Sequence, residues 1–432
     1  MRRFVTILVA GAVALSACTG AGGESAEEED IIEVFSVWRG TEAESFRAVL
    51  DEFEAATGYK TKYVGSAAFA DRIQERVTEG DLPDVALFPQ PSLIRRFGTQ
   101  GYLVPLAPNV LEIARDNYDA DALEVGTVDD FVYGFPWKID VNSLVWYRPD
   151  VFAERGYRVP KTLTELAELI LEMQDSGDTI WCLGMESFGS TGWVGTDWIE
   201  DIMLRIQPVE VYDEWARGEL DFDDFGVREA FYWWENLALQ PGQTFGGPRA
   251  IINTPWETSN DPMFADDPEC LMHRQASFYE DHLPDGTTIG PEGDVDVFVM
   301  PGHDRGEPPL LVSGQFAAAF TSNPGVDALL AYLATAESGE PWAERGDYLS
   351  PHHDSALDVP DDDFEVRLAT ILSEATVVRF DAADTMPPEV GLGTFWDGVV
   401  EFVATRNLDA AIATINSGYE QIDPLLSLDP GS

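Results

Sequence analysis

Between residues 31 and 98 the sequence switches repeatedly between two hydrophobic periods, and that alternation narrows the folds open to it. IEVFSVW is an apolar, β-branched run suited to a buried strand. Thr41-Glu42-Ala43-Glu44 has the form of a capping box, and Phe46, Val49, Leu50 and Phe53 then recur at helical spacing until Thr57-Gly58 stops the helix. TKYVG predicts a second strand, 69–77 a helix, DVALF a strand beginning at Asp84, and 91–98 a helix opened by Pro91. A β-α-β-α-β-α order implies a largely parallel sheet wrapped by helices, the α/β class.

At FVYGFPWKIDVNSLVWYRPD (131–150) the rhythm breaks. Two strand-like runs follow one another, and Thr162-Leu163-Thr164-Glu165 opens a new helix with a second capping box, so the chain is expected to cross into another domain here. Aromatic helices follow at 193–204 and 225–239, then strands at DVDVFVMP and SGQFAAAF and a helix at NPGVDALLAYLA. The end reads as helical: DFEVRLATILSEA, GTFWDGVVEFVATR and 407–422. There is no internal repeat. Beyond residue 30 some 400 residues remain, enough for two domains at roughly 100–200 each.

The amino terminus has a separate logic. Arg2 and Arg3 precede an apolar run at 4–15, about the length of a signal-peptide core and short of the ~20 residues that span a bilayer. Leu15-Ser16-Ala17-Cys18 resembles the lipobox of bacterial lipoproteins. The resemblance implies a signal peptide at 1–17, a lipid on the Cys18 sulfur, and attachment to the outer face of the cell membrane. The alternative is a plain secretory signal with a cysteine nearby by chance. Residues 18–30 carry glycine, serine and glutamate without aromatics, and are expected to form a disordered acidic tether.

Two further cysteines, Cys182 and Cys270, are expected to pair in an exported protein; two buried free thiols are the alternative. The formal charge of −52 disfavours nucleic acid and anionic membrane surfaces as partners. Self-repulsion of that size is tolerated best where salt screens it, which points to a saline or haloalkaline habitat; an acidic surface kept only for solubility is the alternative.

The order of these elements resembles the extracellular sugar-binding proteins of ABC importers, the maltose-binding-protein class, and within it the alpha-glucoside-binding branch. The lipobox, VWRGTEAESFRAVLDEFEAATG, LPDVALFPQP, FPWKIDVNSLVWY, the stretch from VMPG to SGQFAAAF, and GTFWDGVVEFVATR all fall in that family's order. What the resemblance implies is a two-lobe, type II periplasmic-binding-protein-like fold, with each lobe a mostly parallel sheet wrapped by helices. Lobe 1 would comprise 31–138 and 313–350, and lobe 2 would comprise 139–312 and 351–432. Crossovers are expected at 137–141, near Val312 and at 348–351. The implied partners are a sugar or oligosaccharide, held in the cleft, and the membrane permease subunits; the receptor would be a monomer and carry no cofactor.

Candidate site residues follow from strand ends and helix starts, where open α/β sheets hold ligands. Trp38 ends an apolar strand and leads into Arg39-Gly40-Thr41-Glu42; Trp193 and Trp198 flank Gly195-Thr196-Asp197; Trp396 opens a late helix. An aromatic face suits the apolar C–H face of a pyranose, and polar groups must pair its hydroxyls. Trp38 and Trp396 are expected to line the site rather than fill a core, whereas Trp233 and Trp234 read as packing. By position in the family, Arg39, Glu42, Gln90, Lys138 and Asp140 would line one side, and Asp197, His273, Gln275, Gln315 and Asp397 the other. A core or capping role for His273 stands equally open.

A lipid-anchored glycoside hydrolase is the main competing class, because 78 acidic residues make a carboxylate pair inevitable. No G-x-S-x-G, H-E-x-x-H, P-loop or strand-following G-x-G-x-x-G is present. Asp221, Asp223 and Asp224, and Asp361-Asp362-Asp363, lack the glycine and terminal glutamate of an EF-hand and read as solvated acidic faces; no metal site is expected. A binding protein for another small polar solute also remains open.

Overall fold

The computed structural model describes residues 31–304, 306–352 and 364–422; the expected signal peptide, Cys18, the expected tether and Asp361-Asp362-Asp363 lie outside them. Apart from a two-stranded pair, Thr127–Val128 with Phe131–Val132, the strands are β1 Ile31–Ser36, β2 Lys60–Gly65, β3 Val85–Phe88, β4 Gly134–Val141, β5 Leu144–Tyr147, β6 Met272–Arg274, β7 Asp296–Val299, β8 Leu310–Ala319 and β9 Val378–Phe380. β1, β2, β3, β4, β8 and β9 form a six-stranded sheet, while β5, β6 and β7 form a smaller one that is antiparallel throughout, not the mostly parallel sheet expected in each lobe, because β6 and β7 both run opposite to the β5 they pair with. Within the large sheet β1 runs parallel to β2 and β3, β8 runs antiparallel to β3 and β4, and β9 runs parallel to β8.

Alternation of side chains sends successive residues to opposite faces of the large sheet. Val34, Val85 and Leu87 pack on one face with Phe46, Phe53, Trp137 and Trp342. Phe35, Ala86 and Phe88 pack on the other with Phe69, Ile73, Phe97 and Phe316. That two-sided burial is why VALF reads as an unbroken apolar run. Around the small sheet a second core gathers Val145, Trp181, Trp198, Trp215, Phe231, Trp234 and Phe402.

The chain passes between these two bodies at 141–144, directly from β4 to β5, and again from β7 to β8. Beside the first pass, Leu349 bridges Ile139 of β4 in antiparallel fashion. Where the first two passes run side by side they are tied together. Leu311 N donates to Ser143 Oγ at 2.8 Å, and Ser143 Oγ donates to Asp201 Oδ1 at 2.6 Å. Ser313 Oγ donates to Asn142 Oδ1 at 2.8 Å.

Cys182 and Cys270 are disulfide-bonded, with Cα atoms 5.3 Å apart, which bears out the expected pairing. Thr162 caps its helix as read, accepting from Glu165 N at 3.1 Å. The first capping box does not form. Helix Gly40–Thr57 begins one residue before Thr41, with Arg39 at the N-cap and no side-chain cap. Asp224 caps helix Phe225–Trp234 through Gly226 N, and Asp223 pairs with Arg228. Among the described residues no helix is long and apolar enough to cross a membrane, and no cluster of metal-binding side chains occurs.

Candidate ligand-binding site

β1, β2 and β3 all end at one cavity. Val37, Trp38 and Arg39 follow β1, Ala67 follows β2, and Pro89 and Gln90 follow β3, and all of them line a space of about 200 Å³ between the two bodies. The turn after β1 is held tightly. Gly40 takes a left-handed φ of +56°, and Tyr63 Oη donates to Trp38 O at 2.7 Å. A Cβ on Gly65 would lie 2.0 Å from that same carbonyl. The opposing wall comes from Trp193, Asp197, Trp256, Glu257, Phe278 and His282; Asp381, Asp384 and Trp396 close it from a third segment. Gly192, at φ +122°, touches the Trp396 backbone so closely that a Cβ would sit 2.6 Å from its carbonyl oxygen, which sets Trp193 beside Trp396.

The walls are aromatic and the ends are polar. Trp193 meets Trp256 edge to face with ring centroids 5.3 Å apart, and Phe278 lies 6.2 Å and 5.7 Å from the two rings. Trp38 is only 2 % exposed and Trp396 5 %, so both rings are cavity wall and core at once, against the expectation that they would be lining alone. Trp38 packs on Phe46, Trp137 and Trp342 at centroid distances of 4.9, 5.8 and 4.7 Å. Gln90 Oε1, Gln315 Oε1 and His282 Nε2 are buried in the lining without a hydrogen-bond partner. Buried polar atoms are rarely left so, and in a cavity they mark where a ligand's polar groups belong.

Two acid clusters flank this space. Lys138 Nζ pairs with Asp140 at 2.5 Å and Asp347 at 3.2 Å. Burial alone would lower the Lys138 pKa, but Asp140 and Asp347 hold it above its ordinary value. Burial pushes Asp347 up to about 8, with Asp140 and Asp281 adding and Lys138 opposing. Glu42 is also held well above the usual carboxylate range, by burial first and then by Asp347. At the other end burial raises Asp197 and Glu200, reinforced in both by Asp381. Glu200 accepts from Ala382 N at 2.9 Å and Ala383 N at 3.1 Å, and so anchors the segment that carries Asp381 and Asp384. His282 is pushed down to about 4 by burial and by Arg39, and enters the site as a neutral ring.

Of the residues expected at the site, Trp38, Arg39, Glu42, Gln90, Asp140, Trp193, Asp197, Gln315 and Trp396 line the cavity. Lys138, Trp198, His273, Gln275 and Asp397 do not. Lys138 is spent on its two aspartates. Trp198 sits in the core, stacked edge to face on Trp181 at 4.8 Å. At about 100° per helical residue it faces roughly 140° away from Trp193, whereas Asp197 lies only about 40° from that ring. His273 is buried against the disulfide segment, its Nδ1 2.7 Å from Cys182 O. Gln275 accepts from Ala276 N at 2.8 Å, and Asp397 is exposed on the outer side of its helix. The sequence reading missed Trp256, Glu257, Phe278, His282, Asp381 and Asp384. The lone tryptophan in the polar stretch NTPWETSN was the available signal for the first pair.

The chain belongs to the bacterial extracellular solute-binding protein family, whose sequence pattern matches residues 39–340. It is 36 % identical over 417 residues to the osmoprotective compounds-binding protein GgtB of Synechocystis sp., covering 96 % of this chain and 98 % of that one. It is 35 % identical over 402 residues to the alpha-glucosides-binding periplasmic protein AglE of Rhizobium meliloti, covering 90 % and 87 %. Among solved structures, the bacterial solute receptor AcbH superposes with a TM-score of 0.77 at 16 % identity, covering 90 % of this chain and 97 % of that one. Maltose-bound MalE3 of T. maritima gives 0.70 at 17 %, covering 90 % and 99 %. The fold is therefore the expected two-lobe, type II binding-protein architecture, and the chain is an extracytoplasmic binding protein rather than an enzyme.

Proposed function

We propose that this protein is the receptor of an ABC importer, that it captures an alpha-glucoside between its lobes and presents it to a membrane permease, and that a lipid on Cys18 holds it at the outer face of the cell membrane. The observation that carries the sugar reading is the pairing of an aromatic wall, Trp193, Trp256 and Phe278, with unpartnered buried acceptors at Gln90 and Gln315. Pyranose faces stack on rings, and hydroxyls donate to bare amide and carboxylate oxygens. Support also comes from the relatives named for osmoprotective compounds and for alpha-glucosides.

The proposed contacts are Trp38, Arg39, Glu42, Gln90, Asp140, Trp193, Asp197, Gln315 and Trp396, joined by Trp256, Phe278 and His282. The proposed lobes are 31–138 with 313–350, and 139–312 with 351–432. A ligand that bridges them binds the closed form better and shifts the population toward it. A thermal-shift panel of maltose, trehalose, sucrose and single hexoses tests the class. A ligand at 100 times its Kd adds about 2.7 kcal/mol of stability, so the cognate sugar stands out as a clear rise in Tm. No rise with any glucoside, and a rise with a different polar solute, would replace the sugar reading.

A further inference from the structure

Arg39 and Glu257 stand on opposite sides of the cavity and touch each other, Nη2 to Oε1 at 3.2 Å across 218 residues of sequence. Neither can drift far. Arg39 is held in the turn fixed by Gly40 and the Trp38 carbonyl. Glu257 sits in the short turn Trp256–Thr258, which the buried Tyr279 hydroxyl pins at Trp256 O, 3.1 Å, and Glu257 O, 3.2 Å. Trp256 in that turn is part of the aromatic wall. Among the described residues lining the cavity Arg39 is the one Lys or Arg, while carboxylates come from both sides. In a chain of net charge −52, bringing the sides together sets acid against acid, and this pair puts attraction at the meeting point.

We infer that Arg39–Glu257 is a latch across the mouth of the cleft: it joins the two sides whenever the cleft closes, with or without ligand, and sets how long the ligand stays, with Glu257 a positioning residue that acts through Arg39. The inference rests on the cavity being the ligand site. Arg39 is 52 % exposed and Glu257 22 %, so solvent screens the pair and its loss is expected to quicken release about two- to fivefold, in keeping with other partly exposed pairs.

Stopped-flow release of maltose or trehalose from the mature full-length chain tests it, with Glu257→Gln, Glu257→Arg and Glu257→Asp. A latch predicts faster release in Glu257→Gln, faster still in Glu257→Arg, release nearer the wild type in Glu257→Asp, and an association rate changed far less than release. It also predicts that wild-type release quickens between about 0.1 and 1 M salt while Glu257→Gln shows no quickening, because screening shortens from about 10 Å to 3 Å and without the pair only repulsion is left to screen. Release unchanged in both Glu257→Gln and Glu257→Arg, or a salt dependence that survives in Glu257→Gln, overturns the latch. If neither sugar binds, the functional reading fails by itself, and the latch is decided by scattering without ligand. A radius of gyration that grows with salt in the wild type, and is already larger in Glu257→Gln, supports the latch; one that moves with neither overturns it.

Discussion

Replacing Trp193 by alanine separates wall from core more cleanly than any other single change. The ring is partly exposed and stands against Trp256 and Phe278, with its helix start pressed on the Trp396 backbone through Gly192. A pyranose covering about 60 Å² of the indole face gains roughly 1.5 kcal/mol at ~25 cal/mol per Å², a little more with stacking geometry. Trp193→Ala should therefore weaken the cognate sugar at least about tenfold, while the ligand-free Tm falls by only a few degrees. Trp38→Ala should behave differently. That ring is buried among Phe46, Trp137 and Trp342, and truncating a core tryptophan costs about 3–5 kcal/mol, so Tm should fall steeply along with affinity. Calorimetric titration and a ligand-free melt on both variants give the answer. A Trp193→Ala protein that binds sugar as tightly as the parent, or melts as early as Trp38→Ala, would show that the aromatic wall is packing and not a site.

Three further outcomes are expected. Cys18→Ala should abolish lipidation and move the protein out of the detergent phase, and unchanged partitioning would remove the anchor. Reducing the Cys182–Cys270 bridge, which closes a separation of 88 residues, should lower Tm by an amount equivalent to as much as about 4–5 kcal/mol on the chain-entropy view; an unchanged Tm would deny the bridge a stabilising role. Stability should also fall as pH rises from about 6.5 to 8.5. Asp347 is raised to about 8, with Glu42, Asp197 and Glu200 raised too, so the folded state binds more protons than the unfolded chain in that window. His273 and His282, lowered to about 4, are neutral in both states there and oppose the trend only below their unfolded pKa near 6.5. Asp347→Asn should flatten the fall seen in melts across that range, and an equally steep fall would assign the effect elsewhere.

What could be read from the sequence was whatever has a period. The strands at 31, 60 and 85 and the helices between them emerged from apolar spacing, and the rule that ligands sit beyond strand carboxyl ends then led to Trp38, Arg39 and Gln90. Helical spacing taken further would have parted Trp193 and Asp197 from Trp198, since five residues turn the last of these toward the core. Trp256, Phe278 and His282 escaped because they sit in short 3-10 turns, Trp256–Thr258 and Ser277–His282, where no repeat marks a face. Asp381 and Asp384 escaped for a different reason. They reach the cavity because Glu200, far away in sequence, grips the Ala382 and Ala383 amides, and only the folded chain brings those together. His273 lies in the buried strand Met272–Arg274 and Gln275 just after it; His273 Nδ1 and Gln275 Oε1 meet backbone partners, and composition does not distinguish such residues from ligand contacts.

The central claim is that the cleft captures a glucoside without transforming it. Isothermal titration of the mature chain with maltose and with trehalose, followed by chromatography of the recovered sugar, tests it most directly. The account predicts saturable one-to-one binding of at least one glucoside, in the micromolar range or tighter, with the sugar recovered intact. No binding of either sugar, or conversion of one into smaller products, would contradict it.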